Sequence, residues 1–450
     1  MQSVEDFRID RSKEEFHEQQ QEQLTHNERV VSRSSKYQPK TGNLRKITQV
    51  VIDNPLPQSS NSNDPVTELR SWLSNNDDNK GELTDQPFSN ERLSSEEVIT
   101  IQELLWSVHK DHILEERSEE MQEKILTIDT ATGTVEMPFW YTTYGSKPED
   151  GRSLWISLHG GGGCAQEVND TQWENQKHLY SPEEGIYCAP RGPTNTWNLW
   201  HQGHIDVLFD RLIETMIIYE DVNPNKVYVL GYSAGGDGVY HLASRMADRW
   251  AGAAAIAGHP NNAKPESLRN IAFALHQGGK DSAYHRNDIA LEWKQYLAKL
   301  REEDPEGYCH WVEIYEDKGH WLDSEDAQVL PWMAQQIRQS CPNRIVWLQG
   351  NHTHSRSYWL ATENPQKDGG ILIAEKDGQV IRIQEKGEPK HAIKIRLADR
   401  MVDLNQPVVV IRNENEVFRG FVPRTIQTIA CTLAERGDPK GIYSAEIVLE

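Results

Sequence analysis

The chain has 450 residues, enough for one large core or for two or three domains. Its 69 acidic residues against 47 basic ones leave a formal charge of −22, which argues against a nucleic-acid partner and disfavours an anionic membrane surface, because no basic block offsets it. No apolar run approaches the roughly 18–20 residues of a membrane span, and the five cysteines are scattered without a C-x-x-C pair, so neither a disulfide framework nor a zinc site is expected.

In chain order, the N-terminus lacks the basic and apolar regions of a secretory leader, and a cytoplasmic location is the expectation. Residues 1–90 are rich in Gln, Ser, Asn and charge with few patterned apolar positions, as in "NPLPQSSNSNDP", and read as largely disordered. Islands such as "VTELRSWL" (66–73) are expected to turn helical on a partner. A helical lead-in follows over 91–124. Ser94 or Ser95 can cap it, with Glu in the first turn and Val98, Ile101, Leu104, Leu105 and Val108 at helical spacing. That stripe is expected to pack on the next domain.

Residues 125–341 alternate short apolar runs with helical segments. "KILTID" and "VEMPFWYTTY" read as an antiparallel pair. "SLWISLHG", "GIYCAP", "KVYVLGYS", "GAAAIAG", "NIAFALHQG" and "CHWVEIYE" then read as buried strands of a mostly parallel sheet with helices on both faces. Residues 342–450 change rhythm to strands joined by polar turns, with one helix over 424–436, and read as a small β-rich accessory domain. The fold class is therefore α/β, with a β-rich C-terminal domain behind a weakly ordered N-terminal segment.

Chemistry belongs at the carboxyl ends of such strands. "VYVLGYSAGGDGVYHLA" (227–243) carries G-x-S-x-G between a β-branched strand and a helix start, a context that exposes Ser233 on a sharp turn. A serine needs a base. Asp281 follows the strand 270–278 and His320 follows the strand 309–316, in the chain order Ser, Asp, His. Asp281 could instead cap a helix, and His320 could be an ordinary loop residue, but both at the right strand ends is a rarer coincidence. Asp288 and Asp323 are the rival acids, and His259, His276 and His285 the rival bases. "SLHGGGGCAQE" supplies a glycine run after an earlier strand. An N–H of Gly161 or Gly162, together with that of Ala234, is expected to receive an oxyanion. A phosphate loop is disfavoured because no GK[ST] follows.

On His159–Gly163, Gly231–Gly235, Asp281 and His320 the chain resembles the α/β-hydrolase superfamily, in the serine esterase branch with feruloyl esterases, polyhydroxybutyrate depolymerases and dienelactone-hydrolase-like proteins. The resemblance covers residues 125–340. It implies Ser233 as nucleophile, His320 as general base and acid, Asp281 as the residue orienting the histidine, and no cofactor or metal. Dienelactone hydrolases carry cysteine at the elbow, so that activity is not implied.

The expected activity is cleavage of a small-molecule carboxylic ester through an acyl-enzyme. A serine peptidase on the same fold ranks second. A catalytically silent protein that recruits a protein partner through its N-terminal segment or C-terminal domain ranks third. Trp173, Arg191, Trp197, Trp200 and His201 lie on loops at the carboxyl end of the sheet, where they either wall a pocket or pack the loops. Asp237 and His259 either support the elbow or close helix and strand ends.

Overall fold

A computed structural model describes residues 64–75, 81–350, 354–363, 369–386 and 392–450. Most of the segment read as weakly ordered therefore lies outside the described residues. Its island 66–73 does form a helix, Pro65–Ser74, with Asp64 accepting from the Thr67 amide as its cap. The surface that holds it belongs to this same chain, since Leu69 is fully buried beside Leu93, Ile101 and Ile429.

Eight strands make the main sheet: β1 (Ile125–Thr130), β2 (Gly133–Tyr144), β3 (Arg152–Leu158), β4 (Gly185–Pro190), β5 (Val222–Tyr232), β6 (Gly252–Ile256), β7 (Ala272–Gly278) and β8 (His310–Tyr315). Their spatial order is β1-β2-β4-β3-β5-β6-β7-β8. β2 runs antiparallel to β4, and every pairing from β4 to β8 is parallel. All residues of β4, β6 and β7 are buried, so the sheet is covered on both faces, and that is why these strands read as unbroken apolar runs. Helices Gln166–Gln176, Gly203–Tyr219, Ala234–Arg245 and Arg286–Glu303 form the crossovers, while β6 and β7 are joined through a 3₁₀ turn, Glu266–Asn270. The chain leaves β3 for β4 on one side and then returns to β5 on the other. That reversal opens a crevice outside the carboxyl ends of β3 and β5.

A second compact unit has Ile128–Val135 as its described part. There Thr134 Oγ1 donates to Asp129 Oδ1 at 2.9 Å.

The C-terminal region is β-rich, as expected. β9 (Arg344–Leu348), β10 (Arg356–Ser357), β11 (Leu360–Thr362), β12 (Ile371–Asp377), β13 (Val380–Lys386), β14 (Ile393–Leu397), β15 (Val408–Arg412), β16 (Asn415–Gly420) and β17 (Ala445–Leu449) form two sheets. One has the order β16-β15-β13-β12-β9 and the other β10-β11-β14-β17. The helix Ile426–Arg436 lies before β17, capped by the Thr425 hydroxyl.

The lead-in helix is Ser95–Glu116, with a complete capping box between Ser94 and Glu97. Its apolar stripe departs from expectation. Val98, Ile101 and Leu105 pack on Ile426, Ile429 and Leu433 of the C-terminal helix, whereas Val108 is exposed. Only the later turns meet the α/β region, through His109 and Arg117 on Glu214. The stripe faces the C-terminal helix because that helix offers a matching apolar face.

Buried ion pairs join the C-terminal region to the α/β sheet region. Arg436 pairs with Asp248, Arg338 donates to Asp438 at 2.7 Å, and Asp210, already paired with Arg249 of its own region, receives Arg356 at 2.8 Å. Burial alone would raise the Asp438 carboxyl, but the charges of Arg338, Arg249 and Arg436 hold it down at about 2. No described helix is long and apolar enough to cross a membrane.

Removing one partner of a buried pair strands the other charge, at a cost of about 3–5 kcal/mol. Asp248→Ala should therefore lower the unfolding free energy of the full chain by about that amount in a denaturant titration. A loss below about 1 kcal/mol, the range of exposed pairs, would show that the pair is solvated.

Candidate active site

Ser233 stands between β5 and the helix Ala234–Arg245 with φ 57° and ψ −121°, a conformation that costs on the order of 1–3 kcal/mol for a residue with a Cβ. Its surroundings hold it there. The Ser233 amide donates to the Ile256 carbonyl at 2.9 Å, and the Ser233 carbonyl accepts from the Asp237 amide at 3.0 Å. The flanking glycines permit the turn by their lack of bulk. A Cβ on Gly235 would lie 2.1 Å from the Leu158 carbonyl oxygen, and one on Gly231 would lie 2.3 Å from the Gly235 carbonyl oxygen.

His320 Nε2 is 2.9 Å from Ser233 Oγ, and His320 Nδ1 is 2.7 Å from Asp281 Oδ2. A carboxylate only accepts, so Nδ1 carries the proton and Nε2 is the acceptor facing the serine hydroxyl. Burial would raise the Asp281 carboxyl, but the hydrogen bond and charge of His320, the charge of Arg286 and the bond from Gln277 together hold it below the usual range. Gln277 Nε2 donates to the same Oδ2 at 2.9 Å, and Arg286 stands 3.8 Å from Oδ1.

The rivals are engaged elsewhere. Asp323 bonds Lys318, and Asp288 faces His285. His276 is buried within β7 against the Tyr315 hydroxyl, and His259 takes the Asn261 amide on Nδ1. Asp237 receives the His259 amide at 2.6 Å, which ties the elbow helix to the turn after β6. Burial pushes the Asp237 carboxyl up to about 6, against the pull of Arg286 and that amide.

The glycine run follows β3, directly across the crevice from Ser233. A Cβ on Gly160 would come within 3.2 Å of the Ser233 Cβ. Gly161, Gly162 and Gly163 all have positive φ, at 99°, 78° and 59°. The Gly162 amide donates to Asn169 Oδ1 at 2.8 Å. Ala234 is the first helical residue, so its amide has no intrahelical acceptor.

His159, which opens the run, is buried and neutral. Its Nδ1–H faces the Gly160 carbonyl at 2.6 Å while Nε2 accepts from the Gly192 amide at 3.0 Å, and burial lowers it to about 4.

Of the five expected wall residues, two are consumed by the scaffold. Trp200 is fully buried, with its indole N–H on the His159 carbonyl at 3.0 Å, and so walls no pocket. Arg191 is buried and gives its donors to Asp170, Gly192, Thr194 and Asn195. Asn195 in turn accepts from Asn169, so Arg191 braces the residue that holds Gly162. His201 stacks on His241 with centroids 4.3 Å apart, and burial lowers it to about 3. Trp173 bonds the Ala189 carbonyl at 2.9 Å under the Lys177 ammonium. Trp197 is half-buried, its backbone and Cβ against Gly162 and Gly163 and its ring edge-on to His201 with centroids 5.5 Å apart.

Sequence reading missed Asn169, Gln277 and Tyr232. Amides and a tyrosine inside helix or strand patterns carry no local signal of the bonds they make. Among the described residues no group of three or more His, Cys, Asp or Glu could hold a metal ion.

A strained serine between strand and helix, at the carboxyl end of a mostly parallel sheet beside its switch point, is the elbow architecture of the α/β-hydrolase fold. No protein-family model matches this chain, and no curated protein does. Among solved structures it is similar to a thermostable esterase at 18% identity, over 48% of this chain and 62% of that one, with a TM-score of 0.38. The chain thus spans less than two thirds of that esterase. It is also similar to Porphyromonas gingivalis dipeptidyl peptidase 4 at 14% identity, over 47% of this chain and 34% of that one, with a TM-score of 0.33. A feruloyl esterase module from Clostridium thermocellum is 13% identical over 48% of this chain and 88% of that module, with a TM-score of 0.31.

Proposed function

We propose that this chain is a serine hydrolase that cleaves a small-molecule carboxylic ester through an acyl-enzyme. One observation carries the reading: the unbroken series from Asp281 through His320 to Ser233, with both links at hydrogen-bond distance. A catalytically silent scaffold has no need to hold a strained serine in line with an imidazole and a carboxylate.

In this reading Ser233 Oγ attacks the ester carbonyl carbon as its proton passes to His320 Nε2. Asp281 stabilises the resulting imidazolium and keeps the ring in register. The tetrahedral oxyanion receives the amides of Gly161 and Ala234, donors worth roughly 3–4 kcal/mol each in the transition state. His320 then protonates the leaving alcohol oxygen as the C–O bond breaks. Water then attacks the acyl carbon as its proton passes to the same nitrogen, which returns that proton to Ser233 Oγ as the C–Oγ bond breaks and the acid leaves. Asn169 acts at one remove by fixing Gly162, so the neighbouring Gly161 amide keeps its direction.

The wild-type chain should label with a fluorophosphonate probe and turn over p-nitrophenyl acetate, and Ser233→Ala should do neither while keeping its far-UV spectrum. A folded wild type that neither labels nor turns over would sink the enzyme reading. Asp281→Asn should lower kcat on the order of 10³–10⁴-fold with labelling slowed in step, as expected for loss of the correct imidazole tautomer. Asn169→Ala should lower kcat by roughly tenfold to a hundredfold, the scale of a displaced catalytic group, with KM little changed. A kcat within twofold of wild type in Asn169→Ala would remove the glycine run from the oxyanion site.

A further inference from the structure

His320 opens a stretch, 320–322, in which Leu322 is fully buried while the two residues before it are exposed. The histidine side chain is 43% exposed, Trp321 beside it is 42% exposed, and Asp323 and Ser324 just beyond have φ of 54° and 63°. The flanks are tied down: the Lys280 amide donates to the Lys318 carbonyl, the Glu325 amide to the Leu322 carbonyl, and Lys318 Nζ spans Asp323 and Glu325. The Leu322 carbonyl apart, those bonds lie on either side of the stretch 320–322.

The stretch itself is held from β5. Tyr232, which lies between Gly231 and Ser233, is buried among Leu322, Ile256 and Ala257. Its hydroxyl donates to the His320 carbonyl at 2.8 Å and accepts from the Leu322 amide at 2.9 Å. A single oxygen thus closes both backbone groups that flank Trp321. The ring also lies edge-on to His320 with centroids 6.1 Å apart, and tilted to Trp321 at 5.4 Å.

We propose that Tyr232 is a positioning residue for the reaction, its hydroxyl fastening the backbone around His320 to the strand that delivers Ser233. The inference rests on the serine hydrolase reading and deepens it. The two ends of the proton-transfer pair are then referenced to adjacent residues, 232 and 233. Drift of the His320 segment cannot open the Ser233–His320 distance without breaking bonds to Tyr232. A phenylalanine fills the same space and removes only the hydroxyl, so the ring's share of packing is preserved.

The test is Tyr232→Phe in the full chain, read three ways. On p-nitrophenyl acetate kcat should fall roughly tenfold or more with KM within about twofold, because binding is untouched and only alignment is lost. Fluorophosphonate labelling should reach the wild-type stoichiometry but at a rate reduced by a similar factor. The low-field proton of His320 Nδ1, assigned by its loss in His320→Gln, should broaden or vanish in the variant. A folded variant with kcat within twofold and that proton intact would overturn the proposal, as would a purely thermal effect with unchanged turnover. If wild type itself fails to label, the hydrolase reading falls. The low-field proton then still decides on Tyr232, since its retention in Tyr232→Phe denies the tether and its loss supports it. Amide exchange in wild type gives a check that needs no variant. Leu322 should be protected to the same degree as the β5 amides, and fast exchange there would contradict the tether.

Discussion

The arrangement depends on a backbone crossing with no room for a side chain. Gly235 meets the Leu158 carbonyl so closely that a Cβ would overlap it, and Gly231 meets Gly235 in the same way. This contact lets the elbow helix settle against the end of β3. Once it has settled, Ser233 has only a left-handed conformation available, and its hydroxyl rises into the crevice. The same contact brings the glycine run after β3 to within reach of the serine, so proposed nucleophile and proposed oxyanion donors are set by one packing event. The energy stored in the serine backbone is small against the burial of two strands and a helix around it.

Around that crossing the polar groups form a graded support. Asp281 is held by Gln277 and Arg286, the glycine run by Asn169, and Asn169 by Asn195 and Arg191. Each step outward trades a group that could touch substrate for one that fixes a neighbour. The buried histidines follow the same logic. His159 and His201 stay neutral because burial disfavours their charged forms, so each adds a fixed dipole without adding a charge.

Much of the fold was legible in the sequence because its strands are covered on both faces and therefore appear as continuous apolar runs. β4 matches its expected limits, and the region after residue 342 is β-rich, as its change of rhythm suggests. Ser233, Asp281 and His320 were legible as candidates because each stands just past a strand end, where the chain order of the fold brings them together. Burial of individual loop side chains was not legible. Trp197 and Trp200 lie three residues apart in the same loop, yet one borders the glycine run and the other vanishes beneath His159. A tryptophan looks identical in sequence whether its indole meets a ligand or a backbone carbonyl. The direction of the lead-in helix was hidden for a related reason. An apolar stripe announces that it will be covered, and says nothing about which of two distant surfaces will cover it.

The charges that join the β-rich region to the sheet region bear on how the chain can be divided. Asp248, Asp210 and Arg338 lie on one side of residue 342, and Arg436, Arg356 and Asp438 on the other. A cut at residue 342 would wet this face and leave Asp248 and Arg338 without their charged partners, while Asp210 would keep Arg249. Either fragment would then carry a patch of charges spaced for its missing half. The junction works as a mortise, in which each side is finished only by the other.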